Sequence, residues 1–152
     1  MVATAAPHID AERVPYAGIA TRGIALAIDA AIANGIVIVG AALLALIESL
    51  VGDLQPKSLV AALGVVAWTL VVGGYFTLFW TATGQTPGMR MMHLRVVTAK
   101  GEPLHFVRSL VRVVGLGLAI IPLFAGFLPV LVDDRRRALQ DWMARTVVLH
   151  VP

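Results

Sequence analysis

From Gly23 to Ile47 nearly every residue is apolar or small, and Asp29 interrupts the run about two turns after Arg22. A stretch of that length and polarity is a membrane-spanning helix that has kept an ionisable group inside it. Seven residues at 1.5 Å rise put Asp29 about 10 Å deeper than Arg22, and seven steps of about 100° return to nearly the same face. An acid at that depth costs on the order of 2.5 to 3.5 kcal/mol on insertion scales, so it faces protein or a water-filled cavity rather than lipid. Asp29 is therefore the first candidate for function.

Composition extends the membrane reading to the whole chain. Hydrophobic residues make up 59% of it and charged residues 14%, where a soluble domain carries about 25% charged residues. The pI near 10.0 would suit a nucleic-acid partner, but the net charge is only +3 and the basic residues lie beside apolar runs. There they set membrane orientation, and no nucleic-acid partner is expected. The absence of cysteine excludes disulfides, thiolate catalysis and cysteine-ligated metals. Met1 to Thr21 holds Pro7, Asp10, Glu12, Arg13 and Pro15 without an apolar core of signal-peptide type, and reads as an uncleaved N-terminal tail.

The small residues of the first span, among them Ala30, Ala33 and Gly35, suit close packing against other helices. Asn34 lies five residues from Asp29, about 140° round the helix, and is best placed for an interhelical hydrogen bond. Gly52, Asp53, Gln55 and Pro56 form a turn, and a second uncharged span follows over 59–81. Within it Trp80 is expected at a membrane interface and Trp68 in packing. Gly84, Pro87 and Gly88 then break the helix, and Arg90 and Arg95 among methionines suit a segment at headgroup level. The β-branched run Leu94–Thr98 before Lys100 and Gly101 predicts a strand and a tight turn, and Thr146–Val151 reads as another strand. The segment 106–132 is long enough to span, but Gly115, Gly117, Pro122, Gly126 and Pro129 interrupt it. It is read as bent or re-entrant, since non-helical backbone at membrane depth needs protein or water around it. Arg137, Asp141 and Arg145, spaced by four, are expected on one face of a short helix.

The basic residues fix a topology. One lysine lies between the first two spans, whereas Arg90, Arg95, Lys100, Arg108 and Arg112 follow the second span and further arginines close the chain. The positive-inside rule places both basic regions in the cytoplasm. A re-entrant third segment satisfies it and lets Leu94–Thr98 pair with Thr146–His150 as a small cytoplasmic β-hairpin. The expected fold is an all-α integral membrane protein with two transmembrane helices and a third bent or re-entrant hydrophobic segment.

With these pieces placed, the chain resembles the RDD family of small bacterial membrane proteins. The family is marked by an arginine at the start of the first membrane helix, an aspartate within it and a second aspartate further on. Arg22, Asp29 and Asp141 match these. The family's linker, commonly GQTxGKRxxxLRVV, stands here as GQTPGMRMMHLRVV from Gly84 to Val97, bringing in Gln85, Thr86, Gly88 and Arg90. Its closing segment, commonly RRQxLHDxxAxTVVV, stands as RRALQDWMARTVVL from Arg136 to Leu149. Met89 replaces the linker lysine, and Gln140 the histidine before the second aspartate. The resemblance implies a membrane domain over 22–152, with spans near 23–47, 59–81 and 106–132, in a multi-pass protein of the bacterial inner membrane. It also implies transport of an unidentified ligand, cation/proton exchange being one form.

Two readings of the charges stay open. In one, Asp29 titrates or binds a ligand inside the membrane with Arg22 tuning it through water or a partner, in a carrier that oligomerises because two spans enclose no pathway alone. In the other, Asp29 caps a broken helix or bonds the third segment, and the protein is an accessory subunit or scaffold of a larger membrane complex. His8, His93, His105 and His150 are scattered, so no metal site is expected. Ser49, Ser58 and Ser109 lie outside GxSxG, and there is no Walker loop or dinucleotide fingerprint. Neither enzyme activity nor a cofactor is expected, and the partners are the lipid bilayer and other membrane chains.

Overall fold

A computed structural model describes residues 15–52, 56–120 and 125–151. The tail before residue 15, the turn residues Asp53 and Gln55, and Pro122 lie outside the described residues.

Two long helices dominate. α1 runs Ile19–Val51 and α2 runs Lys57–Ala82, about 50 Å and 39 Å at 1.5 Å per residue, against a hydrocarbon core of about 30 Å. Both are long and apolar enough to cross a membrane. They pack at one end only. The buried residues of α1 are Arg22, Ala25, Asp29 and Ala33, a stripe spaced by three and four that ends before the helix is half over. Those of α2 are Tyr75, Phe76, Thr77 and Trp80, all in its last two turns. The other ends, including Ile38, Leu43, Leu50, Leu63, Val65 and Leu70, are exposed and apolar.

At the packed end, α3 (Pro87–Met91) and β1 (Leu94–Thr98) follow α2. α4 (Phe106–Ile120) comes next, then a single 3-10 turn over Ala125–Phe127 and the one-turn α5 (Pro129–Val132). α6 (Leu139–Ala144) and β2 (Thr146–His150) close the chain. β1 and β2 pair antiparallel, Leu94 opposite His150 and Thr98 opposite Thr146. The other edge of β2 is covered by the chain entering α1: Tyr16 bridges Leu149, and the Ala17 N–H donates to the Val148 carbonyl at 2.9 Å. Residues 15–18 are thus already part of the fold. Leu94, Val96 and Val148 pack into the main core, while Val97, Val147 and Leu149 meet Tyr16 in a second small cluster. The pleat sends alternate side chains to opposite faces, so a two-stranded sheet serves two cores.

α4 is amphipathic in an inverted sense. Its buried stripe is Ser109, Arg112, Gly115, Leu116 and Ala119, and its exposed stripe is Phe106, Val107, Leu110, Val114 and Leu118. Ser109 and Arg112 face inward beside small residues and Leu116, while the exposed stripe is mainly apolar, with Arg108 beside it. The 3-10 turn lies back against α4: a Cβ on Gly126 would stand 2.5 Å from the Ala119 Cβ. Residues seven apart in a straight helix are about 10 Å apart, so Gly126 does not continue the line of α4.

Candidate functional site

Two carboxylates organise the packed end, and each draws on a different set of donors. Asp29 accepts the Tyr75 hydroxyl at 2.9 Å and the Gly88 N–H at 2.8 Å on Oδ1, and the Thr86 hydroxyl on Oδ2. Thr86 is also the N-cap of α3, accepting the Met89 N–H at 3.3 Å, with Pro87 following in the first helical turn. The GQTPG linker is built to receive this carboxylate. A Cβ on Gly88 would collide with the Ala25 carbonyl oxygen and stand 2.9 Å from Asp29 Cγ. Gly84 has φ +70, and a Cβ there would lie 2.8 Å from the Val96 carbonyl oxygen, so both glycines are required by close approach. Gln85 ties the loop to β1 by donating from Nε2 to the Leu94 carbonyl at 2.9 Å. Arg90 is exposed at the surface.

Asp141 sits in a cationic frame. Its Oδ2 accepts Arg22 Nη1, its Oδ1 accepts Arg112 Nη1, and the Ala138 N–H reaches Oδ2 at 3.0 Å. Arg112 Nη1 also donates to Thr146 Oγ1 at 2.6 Å, its guanidinium lies 4.7 Å from the Trp80 ring centroid, and Arg22 Nε donates to the Ala17 carbonyl at 3.2 Å. One carboxylate thereby joins α1, α4 and α6, with β2 and α2 held through Arg112. Burial pushes the Asp141 carboxyl up, but the charges of Arg112 and Arg22 and the Ala138 N–H outweigh it and hold the group below its ordinary value.

Arg22 makes no direct pair with Asp29 among the described residues; its partner is Asp141, 119 residues away. Other expectations are corrected here. Arg137 and Arg145 do not flank Asp141 on one helix face. α6 starts only at Leu139, and Arg145 adopts a left-handed conformation (φ 53) that ends it. Arg137 instead makes a bidentate pair with Asp133, at 2.9 and 2.8 Å. Trp80 is 2% exposed beneath Arg112, whereas Trp68 is 44% exposed and donates to Asn34 Oδ1 at 3.1 Å. Sequence reasoning alone gives Tyr75 and Arg112 no role beside the carboxylates. The signal for Arg112 was its place with Ser109, Gly115 and Ala119 on the small and polar stripe of α4.

Beside Asp29 lies a cavity of about 30 Å³ with a mainly apolar wall that includes Leu26, Phe76, Leu116 and Phe127, together with Arg22, Trp80, Arg112 and Gln140. A much larger apolar groove, about 980 Å³, opens between α1, α2 and α4, with Gly23, Ala27, Trp68, Gly73 and Gly117 in its lining.

Two long apolar helices, joined at one end by a buried Arg–Asp–Arg frame and a carboxylate cradled by a glycine-rich linker, define a small helical membrane protein. Residues 16–145 match the RDD family, and the chain belongs to it. Curated relatives include the proline-rich antigen homologs of two strains of Mycobacterium tuberculosis, each 32% identical over 94 residues. The match covers 57% of this chain and 39% of each relative. No solved structure matches.

Proposed function

We propose that this chain is a multi-pass protein of the bacterial inner membrane that carries a small ion or solute as an oligomer, with Asp29 and Arg22 at the carrying site. The observation behind this reading is the cavity in whose wall Arg22, Asp29 and Arg112 meet. Arg22 Nη2 and Arg112 Nε have no hydrogen-bond partner among the described residues, and an unsatisfied buried group costs about 1 to 3 kcal/mol, more when charged. A frame serving only to hold helices together has no use for that loss. Membrane placement supports the reading as well. Residues 30–51 of α1 extend about 33 Å, enough to fill the hydrocarbon core, which sets Asp29 at its boundary. Arg90, Arg95, Lys100, Arg108 and the C-terminal arginines fall at the packed end of the molecule, the cytoplasmic end under the positive-inside rule.

The test is proton movement in inverted membrane vesicles, comparing the native chain with Asp29→Asn at matched, inserted amounts. Sodium, potassium and lithium are supplied first as gluconate salts and then as chlorides. A salt-driven proton signal that Asp29→Asn abolishes is expected. No response to any salt would remove the carrier reading.

The unpacked halves of α1 and α2 favour a second reading, an accessory subunit that assembles a larger membrane complex. Their exposed side chains and the apolar groove offer surface to other helices, and small residues such as Gly23, Ala27 and Gly73 allow close approach. Under that reading Asp29→Asn lowers abundance or partner recovery without a flux to lose.

A further inference from the structure

The exposed apolar surface of the packed end reaches further than two upright spans explain. Phe106, Val107 and Leu110 on α4, Leu131 and Val132 on α5 and Trp142 on α6 are 48% to 87% exposed. α4 runs in the direction of α1, because Ser109 meets Thr81 near the end of α2 and Val113 meets the Cβ position of Gly73, further from it. Phe106, Val107 and Leu110 precede Arg112, which shares Asp141 with Arg22, and Arg22 comes about 10 Å before Asp29 on α1. With both spans upright the hydrocarbon core ends near Asp29, and these side chains stand in water. An apolar patch of this kind marks a surface that something covers.

Two observations say what covers it. The patch is continuous with the apolar surface of the spans: Val114 carries the α4 stripe on from Leu110 and lines the groove between α1, α2 and α4. Its border is cationic. Arg108 lies one turn before Arg112, and Arg135 and Arg136 follow soon after Val132. Arg136 Nη1 is 3.6 Å from the Cβ position of Gly18, one turn before Arg22, so Arg108 and Arg136 stand at one level outside the frame. Arg108, Arg135 and Arg136 are exposed and make no ion pair among the described residues. Asp134 is the exposed acid beside them, which leaves a surplus of positive charge.

We infer that this face rests on the cytoplasmic leaflet, with the spans tilted towards it, and that Arg108, Arg135 and Arg136 bind the phosphates of anionic phospholipids. The inference rests on the membrane placement proposed above and is independent of any cargo. α1 is 33 residues long, about 50 Å against a hydrocarbon core of about 30 Å, and a helix too long for the core has room to tilt. Tilting towards α4 lowers the patch into the bilayer and brings the three arginines to headgroup level, their stems along apolar surface. Each cation close to an anionic surface adds about five-fold in affinity. A zwitterionic headgroup carries its own cation beside the phosphate, so the preference is for lipid of net negative charge.

The chain has no cysteine, so Val107→Cys, Val132→Cys and, on the exposed half of α1, Leu43→Cys each carry one bimane label in the full chain. In vesicles of phosphatidylcholine and phosphatidylglycerol, quenching by phospholipid brominated on its acyl chains reads contact with lipid, and acrylamide reads contact with water. Both labels on the patch should be quenched by brominated lipid as the Leu43 label is, and shielded from acrylamide. At equal fractions in the bilayer, brominated phosphatidylglycerol should quench the Val132 label several-fold more than brominated phosphatidylcholine. The triple variant Arg108→Gln, Arg135→Gln, Arg136→Gln should lose that preference while brominated phosphatidylcholine still quenches it. Patch labels that only acrylamide reaches, or that neither quencher reaches because protein covers them, overturn the inference, and a quenched Leu43 label then keeps the membrane placement. A Leu43 label untouched by brominated lipid removes both. Equal quenching by the two brominated lipids overturns the binding of anionic headgroups.

Discussion

Asp141 and Asp29 are both buried, at 0% and 1% exposure, and each accepts three protein donors, yet they are not equivalent. Two donors to Asp141 are guanidiniums brought from α1 and α4, so its negative charge is demanded by its neighbours. The donors to Asp29 are two hydroxyls and a backbone amide, none of which requires a charge. Asp141 acts as a fixed counter-ion. Removing the charge of Asp29 breaks no bond to a guanidinium, so of these two acids it is the one whose neutralisation leaves the ion pairs of the fold intact.

The sharpest way to break this comparison is to neutralise each acid in turn. Asp141→Asn leaves Arg22 and Arg112 buried without an anion, and breaking a buried pair in this way costs about 3 to 5 kcal/mol. Thermal unfolding in detergent and abundance in the membrane should both collapse. Asp29→Ala orphans three donors at about 1 to 3 kcal/mol each, part of which the loop recovers by moving to solvent. Asp29→Asn, which keeps an acceptor, should cost less than either. Equal losses for Asp141→Asn and Asp29→Asn would erase the distinction between a counter-ion and a replaceable charge.

A smaller effect tests how the linker holds Asp29. Gly88→Ala drives a methyl group into the Ala25 carbonyl, and overpacking of this kind costs about 1 to 3 kcal/mol. Gly23, on the same helix as Asp29, has nothing within 4 Å of its position for a Cβ, so Gly23→Ala should stay within about 0.5 kcal/mol of the native chain. The two substitutions make the same chemical change, and a matching loss in both would mean that contact with the linker is not what positions the acid.

How much of this was legible in the sequence follows from the range of each interaction. The two apolar helices were, because twenty or more apolar residues are a local signal. So was the turning of Asp29 towards protein, as an acid within such a run. Its donors Tyr75 and Thr86 come from 46 and 57 residues away, and no periodicity links them. The partners of Asp141 were hidden more deeply. Spacing by four offered Arg137 and Arg145, but helix α6 is six residues long and contains neither. The true partners lie 119 and 29 residues away, and only the polar stripe of α4 hinted at one. Trp80 was misplaced because an aromatic residue near the end of a span suits an interface as well as a cation's face; Arg112 decides between them.

The smallest effect concerns the pair that spacing did not foresee. The Arg137 guanidinium donates twice to Asp133 and its backbone N–H once more, and together they hold that carboxyl down to about 2, from an ordinary 3.8. A carboxyl lowered on folding adds stability above its unfolded value and loses it as pH falls towards the folded one. The contribution is therefore complete above about pH 4 and gone near pH 2. The Arg137 side chain is 31% exposed, so screening keeps the pair to about 0.3 to 0.5 kcal/mol. Asp133→Asn should lower stability by that amount at pH 5, and the two unfolding curves should converge as pH approaches 2. Asp141 is held low by the same kind of force but with two cations and no solvent, so protonating it in acid also costs the native chain stability, in the variant as in the parent. If the curves stay parallel from pH 5 to 2, the Asp133 pair contributes nothing, and Arg137 serves only to cover the Trp142 ring, 5.1 Å from its guanidinium.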